Sequence, residues 1–122
     1  MPARIVIVLD DTSLGDLAVE ALEALGHEAM AIHDPMVALE VLESPQRIEM
    51  LVTSGDFAGR GKPNGLSLAR MTRQKRPELK AVFLGPAALA GIVGQDGVHL
   101  ATPTTASEIA RTVAGMMGSG AG

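Results

Sequence analysis

The chain has no cysteine, tryptophan or tyrosine, and only 2 phenylalanines among its 122 residues. The missing thiols exclude disulfides, thiolate metal sites and a cysteine nucleophile. The missing rings leave the core to Val, Ile, Leu, Met and Ala. They also remove the rigid anchors on which nucleic-acid bases stack and interface hot spots are built. Positive charge is short as well: 10 Lys and Arg against 14 Asp and Glu give a net charge of −4. That sign opposes non-specific binding to nucleic acid or to an anionic membrane. The one basic cluster, Arg70 to Arg76, reads as a solvated helix face. No apolar run approaches membrane-spanning length, and Met1 to Arg4 leads into a strand without a signal-peptide pattern, so a cytoplasmic protein is expected. There is no P-loop and no Gly-x-Gly-x-x-Gly after a strand.

What is present is organised around Arg4-Ile-Val-Ile-Val-Leu-Asp10-Asp11. An unbroken apolar run that is rich in β-branched residues and too short for a helix fits a parallel strand buried on both faces. Two carboxylates stand where that strand leaves the sheet. In open α/β sheets this carboxyl edge is where ligands bind. Asp11 alone reads as the cap of the helix that follows; the two acids together point to a pocket.

Strand and helix signals then alternate. Leu14, Leu17, Ala18, Ala21, Leu22 and Leu25 form a helical stripe that Gly26 ends as a residue free to take positive φ. Glu28 to Ile32 is a second strand. Asp34-Pro35 starts a helix carrying Val37, Leu39, Val41 and Leu42, closed by Ser44-Pro45. Ile48 to Thr53 is a third strand, followed by a glycine-rich loop from Ser54 to Gly65. Asn64 is placed to cap a third helix, Gly65 to Arg76, which Pro77 stops. Leu79 to Leu84 is a fourth strand. The glycines among residues 85–94 allow only a weak fourth helix, at about 1 kcal/mol lost per glycine. Val98 to Ala101 is a fifth strand, and Thr105-Ala106-Ser107-Glu108 is a capping box opening a last helix with Ala106, Ile109, Ala110, Val113, Met116 and Met117 on one face. The expected architecture is α/β: one domain over residues 1–117, a doubly wound five-stranded parallel sheet of order 2-1-3-4-5, then a flexible tail over 118–122. That order puts Asp10, Asp11 and the residues after Thr53 at one pocket.

From Ile5 to the last helix the chain resembles the receiver domain of two-component response regulators. The resemblance is carried by the acid pair after the first strand, Leu51-Val52-Thr53 before the expected acceptor, Asn64-Gly65-Leu66 opening helix three, Arg76-Pro77-Glu78-Leu79-Lys80 before strand four, and Pro103 after strand five. It implies a flavodoxin-like receiver fold and a phosphoryl switch. In an active receiver the acid pair helps to hold Mg²⁺, an aspartate ending strand three accepts the phosphoryl group, a Ser or Thr ends strand four, and a lysine precedes the proline. Here Asp10 and Asp11 match, but Ser54 stands at the acceptor position, Gly85 at the switch hydroxyl and Thr102 at the lysine. Pro103 keeps the neighbouring position, where a cis peptide bond is expected, while Thr104 replaces the family's usual aromatic. A serine hydroxyl supplies neither an acyl phosphate nor an anionic Mg²⁺ ligand. Without lysine and switch hydroxyl, nothing at those positions grips phosphoryl oxygens.

The expected function is therefore that of a pseudo-receiver: not an enzyme, working by protein contact in phosphorelay signalling. Its partner would be a histidine kinase, a phosphotransfer protein or an output protein, and the chain itself a monomer or weak homodimer. No cofactor is required; weak Mg²⁺ binding at Asp10 and Asp11 is the most that is expected. Two other readings stay open. Asp56, two residues past Ser54, could act as a displaced acceptor with Mg²⁺, with Lys62 in place of the lysine, although Asp beside glycine is ordinarily a turn residue. Alternatively, a flavodoxin-like domain has reused the acid edge for a small ligand. His27, His33 and His99 have no metal-pair spacing and read as structural or exposed.

Overall fold

The computed structural model describes residues 4–55 and 65–117. The expected Asn64 cap, the alternative acceptor Asp56, Lys62 and the tail from Gly118 lie outside the described residues. Strands β1 (Arg4–Val8), β2 (Glu28–Ala31), β3 (Met50–Ser54), β4 (Lys80–Gly85) and β5 (Val98–Ala101) form one parallel sheet in the order 2-1-3-4-5. They alternate with helices α1 (Thr12–Ala24), α2 (Pro35–Leu42), α3 (Gly65–Arg73), α4 (Leu89–Val93) and α5 (Ala106–Met116). Strand ends differ from the sequence reading by one or two residues: β2 stops one residue earlier, while β3 and β4 start later and run one residue further, to Ser54 and Gly85.

Alternation along the central strands divides the core into two layers. Val6, Val8, Leu51, Ala81 and Phe83 face α2, α3 and α4, through Ala38, Leu42, Leu68 and Val93. Ile5, Ile7, Met50, Val52 and Val82 face α1 and α5, through Ala18, Leu22, Ile109 and Val113. Phe83 is the largest fully buried side chain in a core that is otherwise aliphatic.

The helix starts follow their sequence signals. Asp11 Oδ1 accepts from the Leu14 amide at 3.0 Å, Asp34 Oδ1 from Met36 at 2.8 Å, and Thr105 Oγ1 from Glu108 at 3.2 Å. Gly26 ends α1 with φ +89°. The stripes need correction. Leu17 and Leu25, read as core, are 53% and 55% exposed, and Val37 is 48% exposed. The buried faces instead carry Gly15, Ala18 and Leu22 on α1, and Pro35, Ala38 and Leu42 on α2. Small residues let α1 lie close to the sheet: a Cβ on Gly15 would stand 3.8 Å from Ala31 Cβ. Leucines flanking that seam are left outside.

The basic cluster is also corrected. Arg70 pairs with Asp96 at 2.7 Å, and Arg73 Nε donates to the Leu79 carbonyl at 3.1 Å. Arg76 lies beyond α3, which ends three residues earlier than expected. Its guanidinium donates to the carbonyls of Leu42 (2.7 Å), Ser44 (2.6 Å) and Gln46. It therefore satisfies the orphan carbonyls where α2 ends and the chain turns toward β3. A planar, multi-donor side chain suits three acceptors at once; sequence charge alone does not reveal such a use.

Candidate functional site at the carboxyl edge of the sheet

Strand register builds the site. Val8 pairs with Thr53, Ser54 with Leu84, and Gly85 with Ala101, so the chain leaves β1, β3, β4 and β5 along a single edge. Asp10, Asp11, Ser54, Gly85, Thr102 and Pro103 all line one cavity of about 560 Å³ at that edge. Every sequence-derived site residue within the described chain is thus brought together. Leu9, Leu14, Leu84, Leu89 and Ile92 make the wall largely apolar.

At the acceptor position, Ser54 Oγ accepts a hydrogen bond from the Asp10 backbone amide at 3.0 Å. The hydroxyl thus ties the end of β3 to the loop leaving β1. Asp11 has its Oδ1 engaged as the α1 cap. Among the described residues no three His, Cys, Asp or Glu side chains converge as metal ligands. The described edge offers two carboxylates, Asp10 and Asp11, the second engaged as a helix cap, and the neutral hydroxyl of Ser54.

At the other end of the edge, the Gly85 carbonyl accepts from the Thr102 amide (3.1 Å) and faces His99 Nε2 at 2.9 Å. His99 therefore carries its proton on Nε2 in this contact and fastens β5 to the exit of β4. The Thr102–Pro103 peptide bond is cis. At the lysine position Thr102 offers a short neutral side chain, which brings no cation to the cavity. Gly65, which opens α3, packs so tightly that a Cβ there would fall on the Ser54 carbonyl oxygen and 2.8 Å from Thr53 Cγ2. Glycine is required there for close approach of helix and strand.

Sequence reasoning missed one participant. Leu89 looked like one apolar residue in a weak helix, yet it sits against both Gly55 and Gly85. His99, read as structural or exposed, has a structural role, at 2.9 Å from the Gly85 carbonyl. The available signal was a glycine after each of two adjacent strands, followed by a lone large aliphatic residue.

No protein-family model matches the chain, and no curated protein does. Solved structures do. A response regulator receiver protein from Sinorhizobium medicae WSM419 is 26% identical with a TM-score of 0.82, over 95% of this chain and 94% of that one. A CheY-like response regulator receiver domain protein from Methanospirillum hungatei JF-1 is 17% identical with a TM-score of 0.78, over 96% and 94%. NtrX from Brucella abortus is 22% identical with a TM-score of 0.77, and there the match covers 95% of this chain but 26% of that one. Fold and edge together define a doubly wound α/β domain with its site at the strand ends. Within that class, the chain has the fold of the response regulator receiver domain.

Proposed function

We propose that this receiver domain signals by protein contact without aspartyl phosphorylation. The observation that carries the reading is Ser54: it occupies the acceptor position at the end of β3, and its Oγ is engaged by the Asp10 amide. Support comes from Gly85 and Thr102, which put no hydroxyl at the switch position and no cation at the lysine position. The module is non-enzymatic in this reading. It needs no cofactor, and Mg²⁺ binds weakly at most, through Asp10 and Asp11.

A receiver that is not modified must present its partner with a surface that already exists. The α4–β5 face offers one, with Ile92 62% exposed and Val98 38% exposed. The partner is a signalling protein: a histidine kinase, a phosphotransfer protein or an output protein. Incubation with acetyl phosphate and Mg²⁺, followed by intact-mass measurement, tests the reading. The mass is expected to stay unchanged. A gain of one phosphoryl group that D56N abolishes would transfer the role to Asp56 and reinstate a phosphoaccepting receiver.

A further inference from the structure

Gly55 and Gly85 follow or end adjacent strands, and neither is there for its backbone. Among the described residues only Gly26 and Gly94 have positive φ. What Gly55 and Gly85 supply is space. A Cβ on Gly85 would stand 2.6 Å from Leu89 Cδ2, and a Cβ on Gly55 would fall inside the same methyl group. One leucine methyl thus fills a notch between two glycines, beside Ser54 on one side and at the last residue of β4 on the other.

Leu89 is also the first residue of α4, a helix of 5 residues whose N-cap, Ala88, makes no side-chain capping bond. A helix this short has no stability of its own and must be held by packing. Ala90, Gly91 and Ile92 are exposed. The helix is anchored through Leu89, half-buried against the core, and through Val93 one turn later, which is 2% exposed.

We propose that Leu89 is a latch, seated in the Gly55–Gly85 notch, that holds α4 in one position across the acid edge. A side chain at position 85 and a seated Leu89 exclude each other. In this light Gly85 is one half of a contact that positions α4. The exposure of Ile92 beside β5 follows from where the latch holds the helix. The device deepens the contact-signalling reading at its docking face, but it does not depend on whether the chain accepts phosphate.

The test is a cycle of variants in the whole chain: G85A, L89A and G85A/L89A. The readouts are amide hydrogen exchange over residues 89–93 and thermal melting. Each single substitution is expected to speed exchange in α4 by about tenfold or more while α1 stays as it was. The double variant should exchange no faster than L89A, because the added methyl group has room once the leucine side chain is gone. Wild-type exchange in the α4 of G85A, or effects of the two substitutions that simply add, would overturn the latch. Acetyl phosphate labelling bears on the contact-signalling reading alone, so the two failures are told apart.

Discussion

Helices α5 and α4 flank the same edge strand from opposite faces, and they are built differently. The first runs for 11 residues, starts on a Thr105 cap and buries Ile109, Ala110 and Val113. The second runs for 5 residues, has no side-chain cap, and buries Val93. One is held by its own start signal and a continuous stripe; the other depends on two contacts with the body. A segment of the second kind opens at lower free-energy cost than one of the first kind, so the contacts of Leu89 and Val93 decide where α4 sits.

The comparison breaks most visibly in the core. Ile109→Ala empties a fully buried site under α5 and should destabilise the whole fold by about 2–5 kcal/mol, seen as one cooperative shift in denaturant melts. Val93→Ala removes two buried methyl groups, about 1.6 kcal/mol of transfer free energy before the cavity it leaves is counted. Its effect should appear chiefly as faster exchange in α4, with a smaller shift of the global transition. Equal global effects would mean that α4 unfolds only with the rest and that the contrast is false.

Caps come next. Thr105→Ala should cost about 1 kcal/mol, and Asp11→Ala a similar amount, because each removes the acceptor of a backbone amide at a helix start. Asp11→Asn keeps an acceptor and should be close to neutral. A marked rise in stability for Asp11→Asn would show that repulsion between the acids outweighs the cap.

The smallest effect is at the Arg70–Asp96 pair, 2.7 Å long, with the Arg70 side chain 62% exposed. A pair so open to water contributes little, so Arg70→Ala should cost less than about 1 kcal/mol. It should still loosen the turn between α4 and β5, read as faster exchange near Asp96. A larger global loss would indicate that this pair is a third anchor of the α4 segment.

Sheet order, helix order, the caps at Asp11, Asp34 and Thr105, and the meeting of Asp10, Asp11 and Ser54 at one sheet edge were all legible in the sequence. They depend on local chemistry or on topology, and both leave periodic or positional marks. Three kinds of feature were not legible. Leu17 and Leu25 were read as core because their spacing fits a stripe; how closely a helix approaches a sheet decides which flank is covered, and small residues at Gly15 and Ala18 set that distance. Arg76 was read as surface charge because its acceptors are carbonyls 30 to 34 residues away. The pairing of Leu89 with Gly55 and Gly85 depends on how β3 and β4 place two glycines side by side, and the glycines after the two strands mark it only once the strand order is known.

The central claim is that the α4–β5 face is set by packing and not by phosphate. Hydrogen exchange across the whole chain, with and without acetyl phosphate and Mg²⁺, tests it most directly. The account predicts two superimposable maps, with residues 87–96 the fastest of the non-terminal described segments in both. Protection that appears in α4 and β5 only when acetyl phosphate and Mg²⁺ are present would contradict it.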